Sequence, residues 1–154
     1  MVMPPAPTVL LDLPDLAATQ TLGQRIAASL RPGDAVLLEG PLGAGKSELA
    51  RALLRAAAGD PALEVPSPSY TLVQSYDTPA GAIHHYDLWR VDCEADVTEL
   101  DWDGARQDIV LVEWPDRLGT LRPDDALTVV LAVGEGDART AILSGWPDRI
   151  GQLA

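Results

Sequence analysis

Gly40-Pro41-Leu42-Gly43-Ala44-Gly45-Lys46-Ser47 fits the pattern G-x-x-x-x-G-K-[ST], a spacing whose chemistry is the wrapping of nucleotide phosphates. Gly43 and Gly45 allow backbone dihedrals closed to other residues, so that successive N–H groups, those of Leu42 and Ala44 included, can turn towards a single anion. Lys46 supplies a mobile cation for the outer phosphates, and the Ser47 hydroxyl is suited to ligate a magnesium ion that bridges them. Glu48 extends the same helix start, where unsatisfied N–H groups and the positive dipole end favour phosphate. Lys46 is the only lysine in the chain, every other basic side chain being arginine apart from two histidines. A compact ammonium on a flexible stem is not replaced by a planar guanidinium.

Two carboxylates stand in places that ask for a reason. Asp87 lies among apolar and aromatic residues in Ile83-His84-His85-Tyr86-Asp87-Leu88-Trp89, and a buried acid is costly unless it is paired or bound to metal. The local alternative is a capped or half-exposed acid near Arg90. Glu113 ends the run Ile109-Val110-Leu111-Val112, the pattern of a central parallel strand buried on both faces that delivers its last side chain to a ligand crevice. It reads as a Walker B strand, with Glu113 on magnesium or water. His84 and His85 project to opposite faces of a strand, and with Cys93 they offer no fourth ligand at zinc spacing. Pro66-Ser67-Pro68-Ser69-Tyr70-Thr71 cannot be interior helix. It reads equally as an ordinary loop or as a hydroxyl-bearing segment that orders on a terminal phosphate.

These residues need a scaffold. Asp34–Glu39 reads as a strand entering the glycine-rich loop, and Glu48–Ala58, full of strong helix formers, as the helix leaving it. Upstream, Thr8–Leu13 reads as a first strand and about Asp15–Leu30 as an amphipathic helix on Leu22, Ile26 and Leu30. The start of that helix is a candidate neighbour of the nucleotide base, with Thr19 its contact. Leu72–Tyr76 and Ile83–Trp89 form a hairpin around Asp77–Gly81, Glu94–Trp102 one short helix ending at Gly104, and Leu127–Val133 with Thr140–Ser144 an antiparallel pair. Trp146–Ala154 reads as a short C-terminal helix. At 154 residues the chain suits one domain, 1–154, with 1–7 a flexible tail. The lone Cys93 excludes an intramolecular disulfide and by default is a small buried or half-buried apolar residue. With no signal segment or membrane-spanning run, a soluble cytoplasmic protein is expected. A net charge of −12 argues against broad capture of nucleic acid or anionic membrane.

Taken in order, G-P-L-G-A-G-K-S, S-P-S-Y-T-L-V, H-Y-D-L-W-R and L-V-E-W-P resemble the bacterial TsaE (YjeE) ATPase family of tRNA threonylcarbamoyladenosine synthesis, from the first helix through Leu118. The resemblance implies an α/β, P-loop NTPase-like three-layer sandwich with a mainly parallel central sheet and antiparallel additions, binding ATP and magnesium. Carried onto matching positions, Lys46 and Ser47 hold phosphates and metal, Asp87 and Glu113 are the functional acids, Thr71 belongs to a switch-like segment, and Trp114 is the aromatic after the acid. It also implies a partner, the TsaD–TsaB heterodimer that transfers threonylcarbamoyl to tRNA; the acidity of this chain argues against direct stable binding of tRNA by the chain itself. Ser47, Glu48 and Ser69 stand where the family often has threonine or another hydroxyl residue, and the stretch between Gly104 and Ile109 is short. The rival readings are a small-molecule kinase on the same fold, which lacks here a basic lid beyond Arg117 and Arg122, and a nucleotide switch that does not hydrolyse. A GTPase is disfavoured because no second lysine exists for a guanine motif.

Overall fold

The computed structural model describes residues 7–68 and 71–154; the tail over 1–7, except Pro7, and Ser69 and Tyr70 of the hydroxyl-bearing segment lie outside the described residues. Strands β1 (Thr8–Leu13), β2 (Ala35–Glu39), β3 (Val73–Thr78), β4 (Gly81–Asp87), β5 (Ile109–Glu113), β6 (Leu127–Val133) and β7 (Arg139–Ser144) form one sheet in the order β1-β7-β6-β2-β5-β4-β3. Its centre is parallel: β2 pairs with both β5 and β6, and β5 with β4. The flanks, β3 on β4 and β1-β7-β6, are antiparallel. β2 and β5 are buried along almost their whole length, as strands covered on both faces must be. The C-terminal ends of β2, β4 and β5 therefore point the same way, and three chain segments distant in sequence open at one edge.

Helices α1 (Leu16–Ala28) and α2 (Lys46–Ala58) cover one face. Leu22, Ile26, Leu49 and Leu53 pack there on Val36, Leu38 and Leu111. Asp15 accepts the N–H of Ala18 at 2.9 Å and fixes the start of α1 by satisfying an orphan donor of the first turn. α2 follows the loop without a break, its N-terminal position Gly45 at φ +100° and with no side-chain cap. The other face carries α3 (Glu94–Thr98), α4 (Trp102–Ala105) and a 3-10 stretch over Pro115–Leu121, with Val97, Trp102 and Leu118 packed on Leu37, Val110 and Val112.

Three expectations are corrected. Glu94–Trp102 is not one helix: Asp101 adopts φ +55° and splits the segment into α3 and α4. Cys93 is exposed at the start of α3 rather than buried or half buried. The C-terminal segment is irregular, with only a 3-10 turn at Ile150–Leu153. Arg149 ties that segment to the fold: it forms a two-pronged pair with Asp34 at 2.7 and 2.9 Å and lies 3.9 Å from the Trp146 ring. Among the described residues, no helix is long and apolar enough to cross a membrane.

Candidate functional site

The Gly40–Ser47 loop leaves β2 and turns into α2. Gly40 sits at φ +144°, and a Cβ there would come within 2.6 Å of the Leu131 carbonyl oxygen on β6, so only glycine lets the loop pass so near the neighbouring strand. Leu42 is exposed at the tip and Ala44 is buried beneath it. With Gly45 offering no side-chain cap, the first N–H groups of α2 face outwards as an anion site would require.

The sheet supplies the acids. β4 and β5 end in register, Asp87 opposite Glu113, and both carboxylates are buried, 7% and 3% exposed. Ser47 Oγ donates to Glu113 Oε1 at 3.2 Å. The Trp89 N–H donates to Asp87 Oδ1 at 3.1 Å, and the Asp87 N–H reaches the Leu72 carbonyl at 3.0 Å. Lys46, itself buried, donates to the Gly40 carbonyl and lies 3.3 Å from the centroid of the Trp114 ring. Trp114 takes φ +61° and meets Trp89 at 4.4 Å between ring centroids. Burial pulls the Lys46 ammonium below the usual lysine range, while the charges of Glu113, Asp87 and Asp116 act in the opposite direction. The structure thus brings the sole lysine, the Ser47 hydroxyl, two acids and Trp114 together.

Other predicted residues stand further out. Thr19 is buried and, with Leu16, Gly45, Glu48, Asp137 and Arg139, lines a cavity of about 250 Å³ beside the loop. Glu48 reaches Arg51 at 2.8 Å. Thr71 is exposed and accepts from Gln74 Nε2 at 3.1 Å, so it is not brought into contact with the acids. A larger cavity of about 500 Å³ lies between α1 and α2, walled by Gln20, Gln24, Arg51 and Arg55; neither Asp87 nor Glu113 lines it. His84 and His85 do face opposite ways. His84 bridges Ser75 Oγ at 2.7 Å and Asp108 at 2.9 Å, whereas His85 Nε2 lies 2.7 Å from Glu113 Oε2. Sequence reasoning overlooked His85 at the site, although it shares with Asp87 the alternation that puts residues i and i+2 on one face of a strand. It also did not single out Asp137, in the β6–β7 turn, and Arg139, at the start of β7, which line the cavity beside Thr19.

The donors are hard oxygens from a hydroxyl and carboxylates, a set suited to magnesium. Among the described residues no three or more His, Cys, Asp or Glu gather as a metal cage. Magnesium needs none, because it keeps several waters and completes its shell on substrate phosphates.

Fold and site together define a three-layer α/β protein whose parallel strands end at a glycine-rich loop facing two buried acids. The chain belongs to the TsaE family: the family model of the threonylcarbamoyl adenosine biosynthesis protein TsaE matches residues 13–141. It is 34% identical over 122 residues to the tRNA threonylcarbamoyladenosine biosynthesis protein TsaE of Rickettsia felis, covering 79% of this chain and 71% of that protein. The identity is 39% over 114 residues to the protein of that name from Synechocystis, with 71% of each covered. The crystal structure of YdiB from Bacillus subtilis superposes with a TM-score of 0.76 at 23% identity, over 96% of this chain and 92% of that one. That likeness speaks for the fold.

Proposed function

We propose that this protein binds ATP with magnesium and hydrolyses it in support of tRNA threonylcarbamoyladenosine synthesis, acting on the TsaD–TsaB heterodimer. The observation that carries this reading is the meeting of Ser47 with Glu113, at 3.2 Å, next to Asp87 and the lone lysine. Family membership supports the pathway, and the chemistry of the donors supports the nucleotide.

In this reading the loop N–H groups and Lys46 hold the outer phosphates, and Lys46 leaves the Gly40 carbonyl and the Trp114 face to do so. Bound magnesium, held by Ser47 and by Glu113 or Asp87, would neutralise charge on the β- and γ-phosphoryl oxygens. Glu113, accepting from Ser47, orients that hydroxyl so that its lone pairs face outwards. The acid that is not committed to the metal orients the attacking water. The nucleoside end takes the cavity of Thr19, Asp137 and Arg139, where a stacked or hydrogen-bonded base has both apolar and polar walls. No arginine in the sequence is assigned as a finger, and in this reading hydrolysis by the free protein is slow until the partner completes the site. An acidic chain of net charge −12 suits a partner with a basic surface, and leaves tRNA to that partner.

The test is ATP hydrolysis by wild type, Lys46→Ala, Asp87→Ala and Glu113→Ala, each with and without the heterodimer. Lys46→Ala is expected to weaken nucleotide binding, and either acid substitution to lower turnover about 100-fold or more while binding persists. Unchanged turnover in all three variants, or a phosphorylated small molecule as product, overturns the proposal.

A further inference from the structure

We infer that His85 is a positioning residue: its imidazole holds the Glu113 carboxylate in the orientation that meets Ser47. The inference rests on the magnesium–ATP reading above and adds a residue to it that acts through Glu113 rather than on the nucleotide.

Glu113 is gripped at both oxygens. Oε1 receives the Ser47 hydroxyl at 3.2 Å and Oε2 lies 2.7 Å from His85 Nε2, so groups from α2 and from β4 fix one carboxylate between them. The strand register makes this possible. Asp87 stands opposite Glu113 and His85 opposite Leu111, which puts the ring one pleat below the acid on the same face of the sheet. Both side chains are almost wholly buried, 2% and 3% exposed, so water cannot take over the role of the histidine. A carboxylate on a flexible stem that lost this contact would have Oε2 buried and unsatisfied, which is costly. One remedy is the buried Lys46, whose charged form Glu113 favours. Turning that way would take Oε1 from Ser47 and occupy the cation meant for phosphate.

Histidine suits the position for a second reason. Its Nδ1 is buried with no hydrogen-bond partner among the described residues. Nε2, by contrast, faces the Glu113 carboxylate, so a proton on that nitrogen is one the carboxylate accepts. Ligand-orienting contacts of this kind change affinity or activity about 10- to 100-fold when removed.

The experiment compares wild type, His85→Gln and His85→Leu, with apo melting curves as the control for folding. The glutamine amide presents an N–H donor near the place of Nε2; leucine fills similar space with none. Two measurements are made: the gain in equilibrium ATP affinity when magnesium replaces EDTA, and turnover with the partner heterodimer. H85L is expected to lose the magnesium-dependent gain and about 10- to 100-fold in turnover, and H85Q to recover most of both. Independently, long-range proton–nitrogen spectra of the nucleotide-free wild type should show His85 protonated at Nε2, with a resonance that moves in Glu113→Gln. An H85L protein that matches wild type, an H85Q protein as impaired as H85L while both melt normally, or a ring protonated at Nδ1 overturns the positioning role. Should H85L fail to fold, the ring proton and the H85Q result decide. A wild type with neither a magnesium-dependent gain nor turnover overturns the ATPase reading instead.

Discussion

Gly40 and Gly43 lie three residues apart in one loop, yet the backbone asks different things of them. Gly40 combines φ +144° with the Leu131 carbonyl 2.6 Å from where a Cβ would sit, whereas Gly43, at φ +80°, has open space around it. Gly43→Ala meets only the left-handed backbone penalty, about 1–2 kcal/mol. Gly40→Ala adds an overlap with a strand that cannot retreat, and is expected to cost about 3 kcal/mol or more. Urea unfolding of the two variants should rank them in that order; equal losses would mean that the β2–β6 approach does not constrain the loop. The loop motif is readable from spacing alone, since glycine and lysine types carry the chemistry. The acids were readable too, because an apolar run ended by Glu113 and an aspartate amid apolar neighbours are each anomalous in the sequence itself. His85 was harder: its role depends on which residue of another strand lies across from it, and register is not written in one strand.

At the scale of elements, α1 and α2 meet at Gly23. A Cβ there would come within 2.9 Å of both the Ala52 methyl and the Leu53 backbone nitrogen. Helix propensity alone would reward Gly23→Ala by about 1 kcal/mol, but the backbone contact makes the helices part. A net loss of about 1–2 kcal/mol is expected from overpacking, measured by thermal or urea melting; a gain would show that the contact yields. The two helices themselves followed from periodicity and from the residues around the loop, and β5 and β6 matched their apolar runs. The split of α3 from α4 did not, because Asp101 leaves the helical region through a local left-handed turn that charge and hydropathy do not announce. The β3–β4 hairpin is tighter than its turn residues suggested. Thr78 pairs with Gly81, and the Thr78 hydroxyl donates to the Gly81 carbonyl at 2.7 Å, leaving two residues at the tip.

For the molecule as a whole, alkaline stability depends on Tyr86. Its hydroxyl donates to the Leu100 carbonyl at 2.8 Å and its ring packs edge-on to Trp102 at 5.2 Å, so it joins the sheet to the α3–α4 layer. Burial first, and the charge of Asp101 second, push its pKa from 10.0 to about 12. The unfolded chain therefore loses this proton at lower pH than the folded one. Stability is unaffected by this group below about pH 10 and falls between about pH 10 and 12, by about 3 kcal/mol in all. Tyr86→Phe should flatten that part of the pH–stability curve, at the cost of one hydrogen bond at neutral pH; an unchanged alkaline slope would refute the assignment. The placing of the layer over the sheet was not readable beforehand, because it depends on which face each crossover takes.

The lone lysine has a practical corollary. Its amine is tucked beneath an indole and committed to a carbonyl, so acylating reagents and amine-seeking crosslinkers find no other lysine side chain and find this one shielded. Chemical coupling through lysine therefore reports on a single buried atom, and acetylation of this chain on a lysine side chain would remove the one ammonium that the proposed function assigns to phosphate.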